Sequence, residues 1–87
     1  MKAVYQRLLK TYLQKEFRKT RKQLGLTQAQ MAERLGIDLR TYSNIANHKS
    51  MCSTLTFVMY LLYCCKDPAK LLADIQKMFE EADEEVA

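Results

Sequence analysis

Arg40, Thr41, Ser43, Asn44, Asn47 and Lys49 stand within one short stretch of the chain. No base is matched to a nucleophile among them, so their chemistry is hydrogen bonding and charge rather than bond making. A guanidinium or a carboxamide offers a planar edge with paired hydrogen-bonding groups, the shape that matches a purine edge. Hydroxyl, amide and ammonium groups suit phosphate oxygens. At helical spacing Leu39, Arg40, Ser43, Asn44 and Asn47 fall on one face, and Tyr42 and Ile45 fall on the other. The set therefore describes a helix with a polar outward face and an apolar back, suited to lying against a double helix.

The flanking residues supply the elements that would hold such a helix. Thr27 with Gln30 three residues on forms a capping box for a second helix over about residues 28–35. Gly36 ends it, and Asp38 offers a capping carboxylate to a third helix over residues 39–46. Two short helices pivoting at Gly36 and Ile37 form a helix-turn-helix whose inward face is Met31, Ala32, Leu35, Ile37, Tyr42 and Ile45. Upstream, Val4, Leu8, Leu9, Tyr12, Leu13, Phe17 and Leu24 keep a helical period, predicting a long first helix that ends near Gly25.

Downstream, Ser53 caps a fourth helix to about residue 65 that is apolar around nearly its whole circumference, a pattern that predicts burial on several sides. Asp67 followed by Pro68 starts a fifth, over about 68–84, with Leu71, Leu72, Ile75, Met78, Phe79 and Ala82 in one stripe. The acidic residues from Glu80 onward are expected to fray. One all-α domain over residues 1–87 follows, with an extended first helix, a helix-turn-helix core at about 17–65 and an amphipathic last helix. A single Pro and two Gly leave little turn chemistry for an all-β alternative.

The formal net charge of +4 is unevenly spread. Residues 1–52 hold 11 Lys/Arg against 3 Asp/Glu, and residues 53–87 hold 3 against 7. A basic lobe beside an acidic one suits a polyanion approached from one side. Cys52, Cys64 and Cys65 form neither a disulfide framework nor a zinc spacing and read as reduced packing residues of a cytoplasmic protein. The lone His48 reads as an exposed loop histidine. The most apolar run is too short for a membrane span, and no signal-like segment opens the chain.

From Phe17 to about Leu62, and most closely in RKQLGLTQAQMAERLGI (residues 21–37) and TYSNIANHKS, the sequence resembles the Cro/repressor-like, XRE-type helix-turn-helix family of lambdoid phage repressors. The resemblance implies a five-helix repressor-like domain that regulates transcription, without enzymatic activity, cofactor, metal or small-molecule substrate. It places base reading on Leu39, Arg40, Thr41 and Asn44, and phosphate contact on Gln28, Asn47 and Lys49; Ser43 on the outward face and Lys22 beside the unit are expected to contact phosphate by their position. Ala46 stands where the family usually has an acidic partner for the arginine matched by Arg21, so Arg21 is expected to meet phosphate as well. Other basic residues of the first helix read first as a solvated face, with Arg18 and Lys19 near enough to the unit to reach DNA.

One helix in one groove reads only a few base pairs, so a homodimer on paired half-sites is expected. Leu55, Met59, Leu62, Tyr63, Leu72, Ile75 and Phe79 are the expected dimer contacts, joined by the start of the first helix, because one small core cannot readily bury them all. The rival expectation is a protein-interaction module or antitoxin-like partner on the same fold, bound to a regulatory protein.

Overall fold

The computed structural model describes residues 2–47 and 49–86, and His48 lies outside them. Among the described residues the chain is all-α: α1 (Lys2–Gln23), α2 (Gln28–Leu35), α3 (Leu39–Ala46), α4 (Thr54–Tyr63) and α5 (Pro68–Val86).

Local chemistry sets the boundaries. Gly25 and Gly36 adopt φ of +68° and +73°, where a side chain would be strained. Beyond each, an amide bonds back across the turn, Leu26 N to the Arg21 carbonyl and Ile37 N to the Ala32 carbonyl, both at 3.0 Å. The two helix ends therefore close in the same left-handed way. At the starts, Gln30 N donates to Thr27 Oγ1 at 3.1 Å while Thr27 N donates to Gln30 Oε1 at 2.9 Å, completing the capping box. Asp38 accepts from Thr41 N at 2.7 Å, Ser53 from Thr56 N at 3.1 Å and Asp67 from Lys70 N at 3.1 Å.

Leu13 and Phe17 of α1, Met31, Ala32 and Leu35 of α2, Tyr42, Ile45 and Ala46 of α3, and Tyr60 of α4 form the core, with Leu71 and Ile75 of α5. The Phe17 and Tyr60 rings pack with centroids 4.6 Å apart, tilted by 39°. The Tyr60 hydroxyl lies 2.8 Å from Thr20 Oγ1, so the phenol is buried without losing its hydrogen bond. Burial is the main reason its pKa is pushed up to about 12. Every buried side-chain nitrogen and oxygen among the described residues has a partner.

Two expectations are corrected. The fourth helix is buried on one side only, the side of Thr56 and Tyr60, because it packs chiefly on α2. Leu55, Leu62 and Tyr63 remain 70%, 65% and 62% exposed. The last helix, expected to fray from Glu80, is assigned as helix through Val86 and meets the first turns of α1 at Phe79 and Asp83. Tyr5 stacks on Phe79 at 4.5 Å and donates its hydroxyl to the Asp83 carboxylate.

That pairing also covers apolar surface that was expected to remain free. Leu13 is buried, and Leu9 and Tyr12 pack against the core. Ile75 is buried within the chain's own core and Phe79 is half-buried against Tyr5, so neither offers a free apolar face. Of the expected dimer contacts, Leu55, Leu62, Tyr63 and Leu72 are exposed and Met59 is half-buried.

Candidate nucleic-acid interface

The back of α3 is fixed before its front can act. Tyr42, Ile45 and Ala46 are buried, which turns Leu39, Arg40 and Thr41 outward, all three exposed, with Ser43 and Asn44 half-buried beside them. Arg40 projects from the first turn, where its donors can reach a base edge without crossing the helix. Leu39, 49% exposed, is an apolar group of the kind that packs on a thymine methyl.

Thr41 is less free than expected. Its amide donates to Asp38, and hydrogen bonds from its hydroxyl and amide hold the Asp38 carboxyl below the usual carboxylate range, with the charge of Arg40 adding to the effect. Thr41 therefore helps define the start of α3. Asp38 itself is exposed there, a carboxylate expected from the sequence as a cap alone.

At the other end of α3 the chain folds back on itself. Lys49 N and Ser50 N both donate to the Asn44 carbonyl, at 2.8 and 3.3 Å, leaving the Asn47 and Lys49 side chains exposed just past the helix. Asn47 Nδ2 donates to Ser43 Oγ at 3.2 Å, pairing two of the expected phosphate-contacting groups on one edge. Gln28 is exposed at the first position of α2, where free amides and the positive end of the helix favour an anion. Lys22 is exposed near the end of α1.

Arg21 departs from the expectation. It is half-buried, and Nη1 donates to the Leu26 carbonyl at 2.9 Å, while its charge and a hydrogen bond partly offset the upward shift that burial gives the Tyr42 phenol. The guanidinium is engaged in bracing the turn between α1 and α2 against the back of α3. With Ala46 offering no carboxylate, the contacts of the guanidinium are the Leu26 carbonyl and the Tyr42 phenol.

Gln14, and the anchoring role of Arg18, were not expected from the sequence. Gln14, only 6% exposed, donates Nε2 to the Ala46 carbonyl at 3.0 Å, and Arg18 Nη2 reaches the same oxygen at 3.4 Å. A cation at the C-terminal end of a helix is favoured by the helix dipole. Together they fasten the end of α3 to α1. The available signal was a glutamine between Leu13 and Phe17, a polar residue on the buried side of an amphipathic helix.

Among the described residues no group of His, Cys, Asp and Glu converges to hold a metal ion. Burial raises the Cys52 and Cys64 thiols, which keeps them protonated packing groups. No helix of the described residues is long and apolar enough to cross a membrane.

Two capped helices joined at a left-handed glycine, the second presenting an accessible polar face, define a helix-turn-helix protein. The family model described as "Helix-turn-helix domain" matches residues 15–75, and the chain belongs to that family. Membership suggests a DNA-binding regulator and is typical of proteins without enzymatic activity. The match agrees with the resemblance to Cro/repressor-like domains. Comparison with curated proteins and with solved structures returned no match.

Proposed function

We propose that this chain is a sequence-specific regulator of transcription, a repressor that works in the cytoplasm by laying α3 in the major groove of double-stranded DNA. The observation that carries the reading is the outward face of α3, where exposed Arg40 and half-buried Asn44 lie opposite a back that is locked into the core. Arg40 reads guanine, Asn44 pairs with adenine one turn on, and Leu39 meets a thymine methyl. Thr41 sets the helix start and contacts the base edge beside Arg40. Gln28, Ser43, Asn47, Lys49 and Lys22 hold phosphates, which fixes register without reading sequence. A small domain bound across a promoter blocks it by occupancy alone, which favours repression over activation.

The working form is a homodimer joined through the exposed apolar row of α4, Leu55, Leu62 and Tyr63 with Met59 beside them, and through Leu72 of α5. Leu55, Leu62, Tyr63 and Leu72 are the most exposed large apolar side chains outside α3, and a two-fold pairing would bury this patch against the same patch of a second copy. Selection of bound duplexes from a random pool tests both parts. It is expected to recover two inverted half-sites about 10 base pairs apart, centre to centre, or a multiple of that spacing. Recovery of unrelated sequences would refute specific reading, and recovery of a single half-site would refute the dimer.

The same apolar row supports a second reading, a protein-interaction module or antitoxin-like partner that binds a regulatory protein through α4. Salt separates the two. Affinity for DNA falls steeply as salt rises, whereas an apolar protein interface hardly responds.

A further inference from the structure

Lys15, Arg18, Lys19 and Lys22 recur along α1 at the spacing that puts side chains on one face of a helix. They line a shallow cleft with Gln14 and Gln23, and every lining residue is a cation or an amide. Glu16 lines a neighbouring cleft with Asp67 and Asp74, and Lys19 and Gln23 stand on the border between the two. Like charges three and four residues apart weaken a helix. Lys15, Arg18 and Lys22 line their cleft without an acid, with Lys19 at its border, an arrangement suited to an external polyanion.

Its place in the fold says which one. Arg18 reaches the Ala46 carbonyl at the last residue of α3, immediately before the exposed Asn47 and Lys49. Arg18 is exposed and uses one of its five donors on that oxygen, which leaves others for an outside acceptor. The cationic face of α1 is thus continuous with the end of α3 where phosphate contacts are proposed. From Lys15 to Lys22 the face extends about 10 Å, on the order of three base-pair rises along the duplex axis.

We propose that this face of α1 is a second, sequence-independent phosphate track that carries the footprint past the bases read by α3. The inference rests on the proposed docking of α3. Lys15, Arg18 and Lys19 engage the backbone of the flanking duplex, and Lys22 joins the track to the helix-turn-helix.

The test is a salt titration on a duplex of arbitrary sequence, about 25 base pairs long, comparing the wild-type chain with the Lys15→Gln, Lys19→Gln double variant. Both lysines are exposed, so melting temperature should be unchanged. Each lost phosphate contact lowers the slope of log affinity against log salt by about 0.9, so the double variant should lose nearly 2. Between 50 and 200 mM salt the wild type would then lose about tenfold more affinity than the variant. The charge-reversed pair, Lys15→Glu with Lys19→Glu, should bind more weakly still. A slope equal to wild type, or an affinity loss with no change in slope, overturns the track and leaves this face to solvent or an acidic protein. A wild-type chain that binds no duplex at all overturns the docking of α3 instead.

Discussion

Replacing Tyr42 with alanine is expected to destabilise the domain by roughly 3–5 kcal/mol, the cost of truncating a fully buried aromatic side chain. Tyr42 is 1% exposed and forms the back of α3, and its phenol faces the guanidinium that braces the preceding turn. Domains of this size hold only about 5–15 kcal/mol in all, so the melting temperature should fall by on the order of 20 °C. DNA binding should fall with it, because Tyr42 is the largest of the side chains, with Ile45 and Ala46, that hold the back of α3. Tyr42→Phe keeps the ring volume and loses only the hydroxyl contact, so its melting temperature should stay within a few degrees of wild type, on the order of a 1 kcal/mol change. Thermal melts followed by circular dichroism measure both. An alanine variant melting close to wild type would mean that α3 is not locked from behind.

The second large effect lies on the opposite side of the same helix. Arg40→Ala removes an exposed side chain that accepts no structural duty, so the fold should be intact. Affinity for the selected duplex is expected to drop by about 1–3 kcal/mol, while affinity for a scrambled duplex changes little by comparison. Side-by-side binding titrations of the two duplexes read the difference. Equal losses on both would make Arg40 a phosphate contact and remove it from sequence discrimination.

What was legible in the sequence, and what was not, divides by the distance over which the deciding interaction acts. Thr27 with Gln30, Asp38, Ser53 and Asp67 each bond to backbone three residues away, so residue type and spacing were enough to place four helix starts. Gly25 and Gly36 marked the two left-handed turns for the same reason. The inward and outward faces of α3 followed from its period, because its apolar and polar residues alternate cleanly.

In α4 that period is silent. Almost every position is apolar, so composition could not show that the buried line runs through Thr56 and Tyr60 and leaves Leu55 and Leu62 in solvent. The Gln14 bond to Ala46 and the Tyr5 bond to Asp83 join residues 32 and 78 positions apart, and no local pattern encodes such pairs. The surroundings of Arg21 were illegible for the same reason. Whether a guanidinium is free depends on which acceptors surround it, and here the Leu26 carbonyl and the Tyr42 phenol do.

The central claim is that Arg40 enters a major groove, and methylation interference tests it most directly. Guanine N7 lies only in the major groove and is one of the two acceptors an arginine engages. On a selected duplex, N7 methylation at one guanine per half-site should block binding of the wild-type chain and have no effect on Arg40→Ala. Wild-type binding that tolerates methylation at every guanine, or a variant blocked at the same guanine as the wild type, would contradict the account.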